Sequence, residues 1–396
     1  MKKKTLFMLT ISLLVLAFGT TLLTAQEAEE KKEEEVKEVY QFTMDIELPH
    51  TAPKSQGRTG TCWCFATISM MESEFMNAHK KDTVDLSEMF IVRHAYSDKA
   101  ENYIRFHGKT NFAQGGACHD VINQMTQHGC VPEDIYSGQN IGEDDHNHSE
   151  IGKVLSGMVD AVLEARRPTP IWKDAFNAAA DVYFGTPPES FTFEGGKYTP
   201  ESFMKNHLDL DPDDYIEITS FSHLPLYEQV LLKLPDNWTF NDEYYNVKVE
   251  DLSRIIEHSL KEGHTVAYGG DVSNRHFSSR ENGYAIVPKD EKWEDKSLDE
   301  IEAEVEEPVE EKEITPELRQ EQYNKFMVTD DHGMHIVGLA HDQKGNTYFY
   351  TKNSWGIKGK YDGFLYMSKP FVELSTTALM VNKNVLPKDI KKKLGL

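Results

Sequence analysis

The stretch Gln56-Gly57-Arg58-Thr59-Gly60-Thr61-Cys62-Trp63-Cys64-Phe65 decides how the rest of the chain is read. Two glycines punctuate a loop, a cysteine follows, and an apolar run begins. Trp63, Phe65, Ala66, Ile68, Met70, Met71 and Phe75 recur at helical spacing and predict a buried helix from Cys62 to about His79. Cys62 then sits in the first turn. The unpaired N–H groups and the macrodipole at a helix start favour negative charge. A thiol there loses its proton more readily, and the thiolate is the nucleophilic form. Gln56, six residues upstream, can aim its side-chain amide at the same point and donate to a developing oxyanion.

A cysteine nucleophile needs a base, and the base needs an orienting group. Asp331-His332-Gly333-Met334-His335-Ile336-Val337-Gly338-Leu339 reads as a turn leading into a strand. Thr347 to Asn353 reads as a second strand, ending in Asn353-Ser354-Trp355-Gly356. If the two are antiparallel neighbours, His332 and Asn353 lie side by side, and the Asn oxygen accepts the imidazole N–H. Cys64 and His335 are the rivals for the two roles. Cys64 lies about 200° around the helix from Cys62 at 3.6 residues per turn, which turns it to the core. His335 is three residues further along the strand and points to the opposite face.

The three motifs, Gln-x5-Cys-Trp-x-Phe, Asp-His-Gly-Met-x-x-Val-Gly and Lys-Asn-Ser-Trp-Gly, resemble those of the papain superfamily of cysteine peptidases, in the family's order. The resemblance implies that Cys62 is the nucleophile, His332 the base, Asn353 the orienting amide and Gln56 the oxyanion donor. Trp355 matches the tryptophan that covers the His–Asn hydrogen bond. Leu86-Ser87-Glu88 and Gln114-Gly115-Gly116 also match, and Gly115 and Gly116 are implied to line the cleft and pair with an extended peptide. The implied fold is α+β and two-lobed: a helical lobe carrying Cys62 and a β-barrel-like lobe carrying His332 and Asn353, with helical insertions. The implied chemistry is peptide hydrolysis through a thioester, with peptides as partners and neither a metal nor an organic cofactor.

The middle third resembles the aminopeptidase C and bleomycin hydrolase branch. That branch implies cleavage at a free amino terminus, a carboxy-terminal arm whose carboxylate holds the substrate amine in the cleft, and a homo-hexamer. Here residues 388–396 form a basic tail, Lys-Asp-Ile-Lys-Lys-Lys-Leu-Gly-Leu. An exported endopeptidase with an open cleft and a catalytically silent peptide-binding scaffold remain as alternatives.

Residues 1–25 combine Lys2-Lys3-Lys4, an apolar run from Leu6 to Leu23 and a small-residue end at Ala25, the pattern of a secretory signal peptide. Interruptions at Thr10, Ser12, Gly19, Thr20 and Thr21 argue against a retained membrane anchor. The expected location is therefore periplasmic or extracellular. Residues 26–38 read as a charged tether. The peptidase domain is expected over 39–387, with one insertion at 138–236 and an acidic one at 288–316, a surface insertion that is a partly helical flap or disordered. The formal charge of −24 disfavours nucleic acid and anionic membranes as partners. Asp144-Asp145-His146-Asn147-His148 has metal-ligating residue types but reads as a solvated loop. Few or no disulfides are expected: a Cys118–Cys130 bridge would have to span the ends of a helix. In the insertion, Pro170 to Tyr183 reads as a helix with Trp172, Phe176 and Val182 toward the core.

Overall fold

The helix expected after the glycine loop runs from Cys62 to His79 (α1), and its residues from Trp63 to Phe75 are buried without a break. Such a helix must be enclosed on all sides. In this computed structural model, which describes residues 38–80 and 83–396, helices and a sheet enclose it. The expected signal peptide lies outside the described residues, as does the tether up to residue 37. Residues 40–396 form one compact unit.

Strand β1 (Phe42–Glu47) precedes α1. Helices α2 (Glu88–Arg105), α3 (Cys118–His128), α4 (Ser149–Glu164) and α5 (Ile171–Phe184) follow it. Ser87 caps α2 by accepting the Phe90 N–H at 3.0 Å, and a glycine, Gly129, follows the last residue of α3. Then come β2 (Tyr215–Thr219), β3 (Tyr244–Asn246), α6 (Val249–Lys261) and β4 (Val266–Gly270). The carboxy-terminal part supplies β5 (His332–Asp342), β6 (Thr347–Lys352), β7 (Phe364–Ser368), α7 (Lys369–Ser375), β8 (Thr376–Asn382) and α8 (Lys388–Leu394).

These strands belong to one eleven-stranded sheet whose central order is β3-β2-β8-β4-β5-β6-β7. Strand β5 is its hub. Its first half pairs with β4, from His332 opposite Gly270 to Ile336 opposite Val266. Its second half pairs with β1, from Gly338 opposite Glu47 to Asp342 opposite Phe42. Strand β6 lies along its other edge, with His335 opposite Lys352. Asn353, one residue beyond β6, therefore arrives beside the start of β5, where His332 stands.

The sheet divides two hydrophobic cores by the period of two that strands impose. Ala267 and Met380 join the helical core around Met70, Phe90 and Phe176. Their neighbours Val266, Tyr268, Leu379 and Val381 face a second core built with Leu252, Ile256 and Phe371. These are the two lobes of the expected fold.

Four expectations need correction. Residues 388–396 are not a free basic tail: Lys388–Leu394 is a helix whose Ile390 and Leu394, spaced i, i+4, are buried in the second core. The acidic insertion at 288–316 is docked, because Trp293, Leu298, Ile301 and Ile314 are buried among the domain's apolar residues. Val182 is 68% exposed. The inner face of α5 is the i, i+4, i+8 set Phe176, Ala180, Phe184, and Val182 falls off it. In the Asp144–His148 loop the two aspartates are exposed, but His146 and His148 are buried. All four cysteines are free thiols.

Candidate active site

The Gln56 loop is fixed from three sides. Lys54 donates to Glu72 in α1 at 3.2 Å, to Glu88 in α2 at 2.8 Å and to the Leu86 carbonyl at 3.0 Å. Gln56 N–H donates to the Ser354 carbonyl at 2.8 Å, and Gly356 N–H to the Lys54 carbonyl at 3.0 Å. On the third side Arg58 N–H donates to the His146 carbonyl at 2.7 Å. Gly57 has φ +61°, and a Cβ there would lie 2.3 Å from His146 O, so this crossing requires glycine. The Gln56 side chain is buried; its Oε1 accepts from Ser354 Oγ at 2.6 Å and its Nε2 donates to Thr59 O at 2.6 Å. An amide nitrogen carries two hydrogens, so one remains for a ligand.

Thr61 precedes α1 but does not cap it, because its hydroxyl pairs with Thr59 Oγ1 at 2.6 Å. The first-turn N–H groups stay available, and the half-buried Cys62 sulfur receives the backbone N–H groups of Trp63 and Gly333. Gly333 packs directly on the helix start: a Cβ there would lie 3.1 Å from the Cys62 carbonyl carbon and oxygen. Cys62, His332 and Gly333 line one cavity.

His332 is buried, and its Nε2 lies 2.8 Å from Asn353 Oδ1. Since that oxygen can only accept, Nε2 carries the hydrogen and Nδ1 keeps the lone pair. Ser354 N–H donates to the same oxygen at 2.7 Å, which fixes the amide. The Trp355 ring lies over His332 with centroids 4.8 Å apart. The two rivals are accounted for: Cys64 is fully buried with its sulfur on the Glu88 carbonyl, and His335 Nδ1 pairs with Ser69 Oγ at 2.8 Å on the far face of β5.

Burial pushes the Cys62 thiol up to about 11, with Asp236 and Asp331 adding to the shift and the Gly333 and Trp63 N–H groups opposing it. Burial pushes His332 down to about 4 against the Asn353 hydrogen bond. Each group taken alone is therefore neutral at pH 7.

Gly116 lines the cavity beside Cys62, and its Cβ would strike the Trp63 ring at 2.9 Å. Gly115 lies beneath the Asp236 carboxylate, 2.0 Å from where its Cβ would be. Lys99 anchors this segment by donating to the carbonyls of Ala113 and Gly115. Asp236, Asp330 and Glu217 also line the cavity; the sequence reading gave none of them a site role, having weighed Asp330 only with Asp331, His332 and His335 as metal ligands and rejected that set. Asp236 and Glu217 come from segments without a motif. Asp330 sits two residues before His332, so its neighbourhood was the one available signal.

A sulfur at an uncapped helix start and an amide-oriented imidazole line one cavity between helical and sheet elements, an arrangement that fits the papain-like class of cysteine peptidase. The chain belongs to the Peptidase C1-like family, whose model matches residues 15–111 and 91–395. It is similar to aminopeptidase G of Lactobacillus delbrueckii subsp. lactis, 23% identical over 392 residues, covering 87% of this chain and 83% of the relative. It is also similar to aminopeptidase C of Lactococcus lactis subsp. cremoris, 22% identical, covering 88% and 84%. Among solved structures, PepW from Lactobacillus rhamnosis HN001 shares the fold with a TM-score of 0.71 at 17% identity, covering 95% of this chain and 91% of that one.

Proposed function

We propose that the chain is a cysteine aminopeptidase acting through Cys62, His332 and Asn353. The observation that carries this reading is the 2.8 Å contact between His332 Nε2 and Asn353 Oδ1, which leaves Nδ1 as the basic atom. Passing the Cys62 proton to Nδ1 creates two opposite charges, which stabilise each other in a low dielectric although neither is favoured alone. The thiolate attacks the peptide carbonyl. The Cys62 backbone N–H and the Gln56 amide receive the oxyanion. His332 gives its proton to the leaving amine, and the carbonyl stays on sulfur as a thioester. His332 then takes a proton from water, hydroxide attacks the thioester, and the acid product and thiol are released. Trp355 shields the His332–Asn353 bond from water, which would otherwise compete for it.

The aminopeptidase part of the reading draws on the relatives' names and on two unequal spaces. The cavity beside Cys62 has a volume of ≈ 40 Å³. The groove beyond Trp355 has ≈ 700 Å³ and is lined by Arg58, Phe277 and Arg280 among others. A short acyl side and an open leaving side suit removal of residues from an amino terminus.

Hydrolysis of one peptide with a free and with an acetylated amino terminus tests this directly. The free peptide is expected to be cleaved and the blocked one spared. Equal cleavage of both would establish the endopeptidase alternative. Cys62→Ala is expected to abolish turnover with unchanged circular dichroism. A thiol-directed epoxide should label Cys62 rapidly, and His332→Ala should slow it to the rate of a free cysteine. Labelling that is already that slow in the wild type would establish the silent scaffold. We also propose that residues 1–25 direct export; a mature amino terminus at Gln26 in the secreted fraction is the expected result.

A further inference from the structure

The cavity beside Cys62 is lined by more acid than its neighbours neutralise. Asp236 and Asp330 face it, and Glu217 closes its back. The Asp236 carboxylate lies on the backbone of Gly115, with Oδ1 accepting from Asn111 Nδ2 at 3.0 Å. Asp330 Oδ2 accepts the Asp236 main-chain N–H at 3.1 Å, which holds the two side by side. Among the described residues neither carboxylate has a basic side chain at ion-pair distance. Lys99 is held on two backbone carbonyls, and His119 pairs with Glu217 Oε2 at 2.6 Å, so Asp236 and Asp330 are the cavity acids left without a paired cation.

Glu217 supplies the second, independent sign. It is 4% exposed, and its Oε1 has no hydrogen-bond partner. A buried carboxylate oxygen without a donor is costly. Glu217 is among the residues that line the cavity. A cavity of ≈ 40 Å³ holds only a few water-sized groups, at roughly 10–15 Å³ for one water by this measure. That size suits an ammonium.

We propose that this cavity is the socket for the substrate's α-ammonium, and that Asp236 is the residue that selects a free amino terminus, with Asp330 adding to the negative field. The proposal rests on the aminopeptidase reading. An ammonium offers three donors and a positive charge, which complement the acceptors left unpaired here. An acylated amine has lost that charge and two of the three donors. Helix α8 contributes no residue to the cavity. The negative group beside Cys62 comes instead from the loop between β2 and β3.

The test compares wild type, Asp236→Asn and Asp236→Glu on three peptides of one sequence with lysine first: α-amine and side chain free, α-amine acetylated, and side chain acetylated. Cys62 labelling by iodoacetamide is measured in parallel. For Asp236→Asn the expected result is a KM at least tenfold higher on both free-α-amine peptides, partial rescue in Asp236→Glu, and a labelling rate no lower than that of wild type, since the lost charge is one of those that raise the Cys62 thiol. On the wild type, an amino-acid amide should inhibit at least tenfold better than its N-acetyl form, a measurement that needs no variant. Wild-type discrimination with an unchanged KM in Asp236→Asn overturns the anchor and leaves the aminopeptidase standing. Equal wild-type cleavage of all three peptides overturns the aminopeptidase reading itself. Cleavage that follows the lysine side chain rather than the α-amine overturns the identity of the bound ammonium.

Discussion

The roles proposed for His332, Asn353, Gln56 and Cys62 could be read from the sequence because each lies in a short motif whose chemistry is complete within ten residues. The orienting role of Asn353 predicts that Asn353→Ala lowers kcat/KM by one to two orders of magnitude, part of the ~10²–10⁴ that positioned proton transfer contributes. Gln56→Ala should lower kcat by roughly 10²–10³ with KM little changed, since the amide acts on the oxyanion. Steady-state kinetics on a free-amine peptide separates the two. Asp236, Asp330 and Glu217 were not legible as a group, because single carboxylates outside a motif look alike until the fold gathers them. Burial pushes Asp236 up to about 6; Asp330 and Asp120 add to the shift, and Lys99 and the Asn111 amide oppose it. Protonation removes the charge that the ammonium needs, so kcat/KM on free-amine peptides should fall as pH drops below 6. That limb of the profile should be missing in Asp236→Asn.

At the scale of elements, α1 matched its expected span because an unbroken apolar run has one geometric solution. Helix α8 was hidden by its lysines: Lys388, Lys391, Lys392 and Lys393 suggest a solvated tail, while Ile390 and Leu394 carry the helical spacing. Long basic side chains keep their charge in water over a buried apolar pair. Burying Ile390 and Leu394 contributes about 1.5–3 kcal/mol each. Arg254 also reaches Asp389 at 3.0 Å across the helix. Removing residues 388–396 should therefore lower the urea midpoint markedly. At low urea the truncated chain should keep kcat/KM within about twofold, because none of these residues lines the cavity. A loss of amine selectivity on truncation would contradict the placement of α8. The acidic insertion escaped the reading for a similar reason, since its buried Trp293, Leu298 and Ile301 are too few and too uneven to make a stripe.

For the molecule as a whole, the two cores and the hub strand follow from alternation along β4, β5 and β8, but the order of the strands was not readable, because pairing partners lie up to hundreds of residues apart. One buried acid shows how the assembled fold responds to pH. Glu311 accepts from Ser368 Oγ at 2.6 Å and Val287 N–H at 2.7 Å, and burial, with Asp342 adding, pushes it up to about 7. Its folded-state value lies above the ordinary one, so the folded chain holds a proton that the unfolded chain releases. Stability must fall as pH rises from about 4.5 through 7 and stay lower above it. Glu311→Gln should remove that fall, matching wild type in melting temperature near pH 5 and exceeding it at pH 8, on the order of 2–3 kcal/mol.

The distribution of sulfur has a practical consequence. Cys64, Cys118 and Cys130 are sealed in the interior, and Cys62 alone reaches the surface. A chromogenic thiol reagent added to the folded protein should thus react once per chain, and three more equivalents should appear only in denaturant. The first equivalent counts competent catalysts in any preparation, and its shortfall measures how many have already been lost to oxidation.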